Sequence, residues 1–472
     1  MDHPGLGARD LTFLVVSAAA PLMIMAGVAP FAILAGGIGA PAAYLVAGLV
    51  LGVFAVGFTT MSRHVEGGGA LYTYVARGLG RPAGIAAALV SLVSYNAVQI
   101  GLYGLLGVTA HDSVRAATGL DLPWPLYAFA GMLLVWYGGL RGISFGAKLL
   151  TVMLVLETAM LLLVSLGVVW HGGAAGLHVD SFAPSHVLTT ATGSLLPFAF
   201  AAFIGFESAV VYRAEARDPR RSIPRATYTA LAFLAVLYGF VSWALIQAFG
   251  SDGVVDAARD DPAGLMFAVT DRYVGPWATG LLHLLIVSGV LASLLAFHTA
   301  VNRYTVTLAE EGLLPQRLTA TLPTTGAPHV AGAAQTALAA LVVGGFAVTG
   351  ADPYFQLLIW VNTPGVLGVV VLLAAVAVAV PVYFRRTPHN EGPWRTIIAP
   401  LLAVLGTGGA LYLMLTKITL LTNASPAANA VMVCAVPAMI LVGFGVAWWL
   451  RRNRPEVYRR FGTVPEVAHA LR

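Results

Sequence analysis

Twelve stretches of this 472-residue chain are apolar over about 20 residues or nearly so, long enough to cross a bilayer as a helix. They run approximately over 11–36, 38–60, 82–110, 124–141, 145–170, 189–213, 224–249, 276–303, 329–349, 353–383, 395–416 and 427–450. In lipid each backbone polar group needs an internal partner, so an apolar stretch of that length closes its own hydrogen bonds as a helix. Two segments outside the spans exceed a turn, 62–80 and 250–275, and the second half of the latter reads as a short amphipathic helix. No stretch is long enough for a separate soluble domain. The expectation is an all-α polytopic membrane protein of 12 transmembrane helices, a single domain over 1–472.

Composition supports this. Hydrophobic residues make up 58% and charged residues 10%, with a mean hydropathy of +0.83; soluble domains carry about 25% charged residues. With the N-terminus inside, all of the 26 Lys and Arg fall on the inner side except Arg115, Arg259, Arg272 and Lys417. That is a positive-inside bias. It places both termini in the cytoplasm of a bacterial cell and the chain in its inner membrane. The net charge of +5 is then a topology signal, and no nucleic-acid partner is expected. The N-terminus lacks the order of a cleaved signal peptide, so the first span is read as retained. The one cysteine, Cys434, excludes a disulfide framework and a cysteine metal cluster, and it reads as a buried inert thiol. No P-loop, HExxH or GxSxG motif is present, so neither ATP-driven transport by this chain nor an intramembrane enzyme is expected. No cofactor and no metal are expected either.

Two spans carry interruptions. Span 1 reads "APLMIMAGVAPFAILAGG", with Pro21 and Pro30 on either side of Gly27. Pro30 leaves the Ala26 carbonyl without its usual donor. Span 6 reads "LPFAFAAFIGFES", with Pro197, Gly205 and then Glu207. Span 1 opens one five-helix group and span 6 the next. Interruptions at matching places in two halves point to a transporter's binding site. Open amides attract a carboxylate and open carbonyls an amine, which together suit a zwitterion.

The stretch "AFIGFESAVVYRAEARDPRRSIPRA" resembles the span-6 pattern of the amino acid–polyamine–organocation (APC) superfamily of permeases. "GGGALYTYVARGLG" is similar to that family's loop after span 2, and "NRYTVTLAEEGLLPQRL" to the end of its span 8. The resemblance covers about residues 8 to 450. It implies a leucine-transporter-type 5+5 inverted repeat, repeat one over 11–170 and repeat two over 189–383. Two extra helices (395–450) and a cytoplasmic tail (451–472) follow. It implies alternating access, with substrate held at mid-membrane between spans 1, 3, 6, 8 and 10. Substrate contacts would come from Met25, Ala26, Gly27 and Val28 in span 1 and from Phe203, Ile204, Gly205, Phe206 and Glu207 in span 6. The family's Gly-small-Gly-Ile-Phe segment is replaced here by "MAGVAPF", so a hydroxyl contact usual there is absent.

Individual residues admit competing roles. Glu207 is placed to sense protons, bind a substrate amine or lock the broken helix. Glu157 stands alone among ionisable groups in its span, where proton-coupled relatives often carry a Lys. It suits proton coupling, holding a cation, or a structural bond. Asn96 and Gln99 lie on one face of span 3, beside Tyr95, and either line the site or bond between helices. His298 is a relay or a packing residue, and Phe203 or Phe206 an aromatic gate or packing. Trp360 and Asn362 are weaker candidates of the same kind. Glu66, Arg217, Asp218, Arg220, Arg303, Glu310 and Glu311 form either an inner gate or ordinary surface charge. The leading reading is a secondary transporter of amino acids or related amines, driven by protons rather than sodium. A polyamine transporter, an amino acid exchanger and a non-transporting sensor of the same fold remain alternatives.

Overall fold

The computed structural model describes residues 6–65, 71–141, 143–187, 189, 192–210, 212–213 and 216–462, with the backbone alone for 143–151 and 192–193. Among these residues no strand forms. An isolated parallel bridge joins Leu6 to Ala216, closed by the Arg217 amide donating to the Leu6 carbonyl at 3.0 Å.

The first apolar stretch is three helices, α1 (Ala8–Ala19), α2 (Pro21–Gly27) and α3 (Ala29–Gly36). A 3-10 turn over Gly37–Gly39 leads into α4 (Ala40–His64). A short helix α5 (Leu71–Leu79) precedes α6 (Arg81–Thr118), α7 (Trp124–Leu140) and α8 (Ile143–Trp170). After the one-turn α9 (Pro184–Val187), α10 (Thr192–Ala201) opens the sixth span, which breaks and resumes as a 3-10 segment over Phe206–Val210. Then come α11 (Pro219–Phe249), α12 (Val254–Asp260), α13 (Leu265–Tyr273), α14 (Pro276–Glu310) and α15 (His329–Val348). A π-turn over Pro353–Leu358 runs into α16 (Ile359–Arg386). The chain ends in α17 (Ala399–Thr416), α18 (Ile418–Thr422), α19 (Pro426–Asn453) and α20 (Pro455–Arg460).

Ten helical runs among the described residues are long and apolar enough to cross a membrane. Two shorter apolar runs, Trp124–Leu140 and Ser194–Val210, occupy the fourth and sixth of the twelve stretches. The sixth is short because its helix breaks. The first stretch breaks at Val28, and α3 is capped at Gly37, whose φ turns positive (66°) before α4 begins. In the 250–275 segment the second half is helical (α13), and so is the first (α12). Glu66 and Gly142 lie outside the described residues.

Local chemistry sets several ends. Proline opens α2, α11, α14 and α19, where its missing amide hydrogen costs nothing. The outer surface carries large apolar side chains such as Leu341, Leu405, Val431 and Leu441. Water would not tolerate so many, and a bilayer does. Exposed Trp170, Trp277, Trp394, Trp448 and Trp449 sit at or near helix ends, where amphipathic rings favour the membrane boundary. Cys434 is exposed on α19, not buried, because that helix packs along the bundle's flank. Small residues let helices cross closely: a Cβ added at Gly78 would lie 2.4 Å from the Ala379 carbonyl oxygen of α16.

Candidate functional site

The two broken spans meet in the middle of the bundle. Pro21 has no amide hydrogen and disfavours the helical region for the residue before it. Ala20 accordingly turns left-handed (φ 44°), and α1 ends there. A second break falls at Val28 (φ −122°), followed by Pro30. The carbonyl of Gly27 is taken by the Tyr354 hydroxyl at 2.5 Å. In span 6 the helix ends at Ala201 and Gly205 takes φ +111°, a region closed to side-chain-bearing residues. A Cβ there would also stand 3.2 Å from Ala18 Cβ of α1. The two breaks are therefore close together, and the positive φ calls for glycine at 205.

Between them lies a cavity of ≈ 90 Å³, where one water needs roughly 10–15 Å³. Its wall is Met23, Ile24 and Val28 from span 1, Val98 and Leu102 from α6, Phe198 and Ile204 from span 6, Phe297 from α14, and Asn362 and Thr363 from α16. Further apolar side chains close it, and no Asp or Glu lines it. Thr363 Oγ1 donates to the Ile359 carbonyl of its own helix at 2.8 Å. Asn362 Oδ1 is buried with no hydrogen-bond partner, an unsatisfied acceptor on a residue of the wall.

The expected site residues divide around this cavity. Val28 and Ile204 line it. Met25, Ala26 and Gly27 are buried behind it, Gly27 against Leu105 of α6. Phe203 packs edge-on to Tyr238 (centroids 5.5 Å apart) and Phe206 edge-on to Phe54 (6.0 Å). Asn96 Nδ2 donates to the Leu92 carbonyl of its own helix at 2.7 Å. Gln99 accepts from Gln335 of α15, away from the cavity. Trp360 donates to the Thr422 carbonyl at 3.1 Å. His298 is buried in α14 beside Gly139 of α7 and Gly332 of α15, and its Nδ1 lacks a partner.

The two carboxylates sit at the breaks themselves. Glu207 Oε2 accepts from the Gly205 amide at 3.0 Å, and Oε1 accepts from the Tyr95 hydroxyl of α6. Glu207 thus ties the broken turn to span 3. Glu157, from α8, faces the Leu22 amide in the first turn of α2. That amide is free because Pro21 restarts the helix, and a helix N-terminus favours an anion. The carboxyl group rests against α14, where a Cβ added at Gly289 would stand 2.6 Å from Glu157 Oε1.

At one end of the bundle Glu311 is buried. It accepts from the Tyr72 hydroxyl of α5 at 3.3 Å and from the Gly462 amide at 3.2 Å. Burial pushes its carboxyl up to about 7. Phe461 is 1% exposed and packs on Tyr72, with ring centroids 5.6 Å apart. Of the other charges at this end, Arg303 lies over the Tyr212 ring and Asp218 pairs with Arg221, while Arg217 and Arg220 are exposed. Sequence reasoning missed Tyr72, Phe461, Tyr354 and the apolar wall residues. Apolar side chains in an apolar span give no contrast, although Tyr354 follows an Asp-Pro helix start that marks a boundary.

The profile of the family described as "Amino acid permease" matches residues 6–444. The chain belongs to the amino acid permease family. That family is part of the APC superfamily, so the resemblance read from the span-6 motif holds. Curated transporters are similar to it. An uncharacterized transporter of Mycobacterium tuberculosis is 28% identical over 250 residues, 50% of this chain and 54% of the relative. The L-methionine/branched-chain amino acid exporter of Escherichia coli is 27% identical over 193 residues, 40% of this chain and 44% of the relative. The methylthioribose transporter of Bacillus subtilis is 25% identical over 219 residues, 46% of this chain and 43% of the relative. The chain spans about half the length of the curated relatives it matches. Family membership and the apolar helical runs make this a multi-pass membrane protein.

Proposed function

We propose that this permease carries an amino acid with an apolar side chain, by alternating access around the central cavity, and that protons drive it. The observation that carries the reading is the cavity wall: apolar on nearly every side and bounded by two broken spans, with Asn362, whose Oδ1 lacks a partner, among its few polar residues. A large aliphatic or thioether side chain matches such a wall. The charged backbone of the substrate then meets the broken spans, whose helix ends carry the partial charges that suit a carboxylate and an ammonium. A polyamine fits poorly, since it would bring two or more cations to a wall with no carboxylate.

Glu157 supports proton coupling. It is held at the restart of α2 and against α14, so a change in its charge acts on two of the helices that line the cavity. Glu207 has both oxygens engaged with the span-6 turn and span 3, which favours a lock over direct substrate binding. In this reading twelve spans form two five-helix repeats, with α17 and α19 outside them and both termini in the cytoplasm.

The test is uptake by the purified protein in liposomes, with an inward proton gradient and no sodium. The panel holds methionine, leucine, isoleucine, valine, glutamate, lysine and spermidine. Accumulation of the apolar members that collapses when the gradient is dissipated supports the reading. Accumulation of lysine or spermidine instead overturns the substrate class. Binding without flux points to a sensor.

A further inference from the structure

A second cavity lies outside the proposed transport path. The end of α4 and the start of α11 enclose an open pocket of ≈ 400 Å³ lined by Arg63, Arg220, Arg221, Pro224 and Arg225. Four arginines line it. Asp218 pairs with Arg221 at 3.8 Å, and no ion pair to Arg63, Arg220 or Arg225 is present among the described residues. Arg63 Nε is buried and has no hydrogen-bond partner. Like charges at this spacing repel, Arg221 and Arg225 being four apart on one helix face. Four positive charges round one hollow attract an anion. The walls are also fixed: Arg213 donates to the Ser62 carbonyl, which joins the segment before α11 to the last turn of α4.

The pocket's position indicates which anion. α4 and α11 are both membrane-length apolar helices, and the pocket sits at their ends, where a bilayer presents its headgroups. Arg221, Arg225, Tyr228 and Val236 fall on one face of α11 by helical spacing. Tyr228 is 39% exposed and Val236 65%. An apolar track thus descends from the arginines along the helix surface. A soluble phosphate would use the arginines alone, whereas a phospholipid would use the arginines for its phosphate and the track for an acyl chain.

We propose that Arg63, Arg220, Arg221 and Arg225 form a binding site for the phosphate of an anionic phospholipid. A guanidinium fork suits a phosphate diester, whose two non-bridging oxygens accept a parallel pair of hydrogen bonds from it. Occupancy would clamp α4 to α11 next to the segment that follows the span-6 break.

The experiment titrates the full-length purified protein with phosphatidylglycerol in zwitterionic nanodiscs and reads bound lipid and thermal stability. A parallel arm uses inorganic phosphate at the same concentrations. The site predicts saturable lipid binding that raises Tm, with no matching effect of inorganic phosphate. The double substitution Arg220→Gln, Arg225→Gln should weaken that binding about tenfold or more, the loss of two charge-assisted contacts. A control pair at another basic location, Arg385→Gln and Arg386→Gln, should leave it unchanged. Each variant's Tm in zwitterionic lipid alone checks that it folds. An equal response of the wild type and the Arg220/Arg225 variant would overturn the site. An equal response to inorganic phosphate would overturn the lipid assignment.

Discussion

Each polar group at the centre of the bundle has a specific duty. Asn362 belongs to the cavity wall, its Oδ1 lacks a partner, and it sits over Gly101, whose missing side chain makes room for it. Asn362→Leu should raise KM about tenfold, the cost of one hydrogen bond to a charged group, at similar protein stability. Equilibrium binding of the substrate found in the liposome panel checks it. Glu157 faces an amide that Gln also satisfies, so Glu157→Gln should keep substrate binding and lose proton-driven accumulation. Unchanged accumulation would remove Glu157 from coupling. Glu207 and Gly205 act as one unit, since the carboxylate accepts from the glycine's amide while the glycine's φ holds the turn open.

At the scale of elements, the segment after α20 shows how a short tail can be structural. Phe461 is buried on Tyr72, Gly462 donates to Glu311, and Arg81 donates to the Arg459 carbonyl at 2.8 Å. Truncating a buried aromatic costs about 3–5 kcal/mol, so Phe461→Ala should lower Tm by several degrees or more in a thermal melt. Glu311 makes this junction sensitive to pH. The groups facing it are Tyr72 from α5, Glu310 and Tyr304 from its own helix, and the Gly462 amide from the tail. Its carboxyl titrates near 7 when folded, above its ordinary value of 4.5. The folded state therefore holds a proton that the unfolded chain has released. The contribution of Glu311 to stability is full below about 4.5 and is lost as pH rises through 7. Melts between pH 5 and 8 should show this decline, and Glu311→Gln should flatten it; an unaltered slope in that variant would exclude Glu311 as its source.

For the whole molecule, orientation is the open geometric property that the fold does not itself specify. The inner-side arginine excess argues for both termini inside. In a Cys434→Ser background, Asp252→Cys in the long loop should react with a membrane-impermeant thiol reagent on intact cells, and Glu456→Cys in α20 should not. The reverse pattern would invert the topology. The regularity of the spans also explains how much was legible beforehand. Pro21 and Gly205 mark breaks in spans 1 and 6 that could be read from their letters, whereas Pro197, also read as an interruption, lies inside the continuous α10 and the break follows at Ala201. The segment 329–349 likewise became α15 almost residue for residue.

The sequence by itself determined the membrane class, the helical content, the positions of the broken spans and the family. These follow from local chemistry: apolar length, missing amide hydrogens, and glycine's access to positive φ. Only the tertiary structure decided which side chains face the cavity. Asn96 and Gln99 share a helix face that the sequence could pair with the site, yet one bonds its own helix and the other reaches α15. Met25 and Met23 are two residues apart in one short helix, and only Met23 lines the cavity. Facing depends on how helices rotate and cross, which is set by close packing among near-identical apolar surfaces. A span that is apolar all round carries no record of that rotation, and contacts as distant as Phe461 with Tyr72 exist only once the bundle has closed.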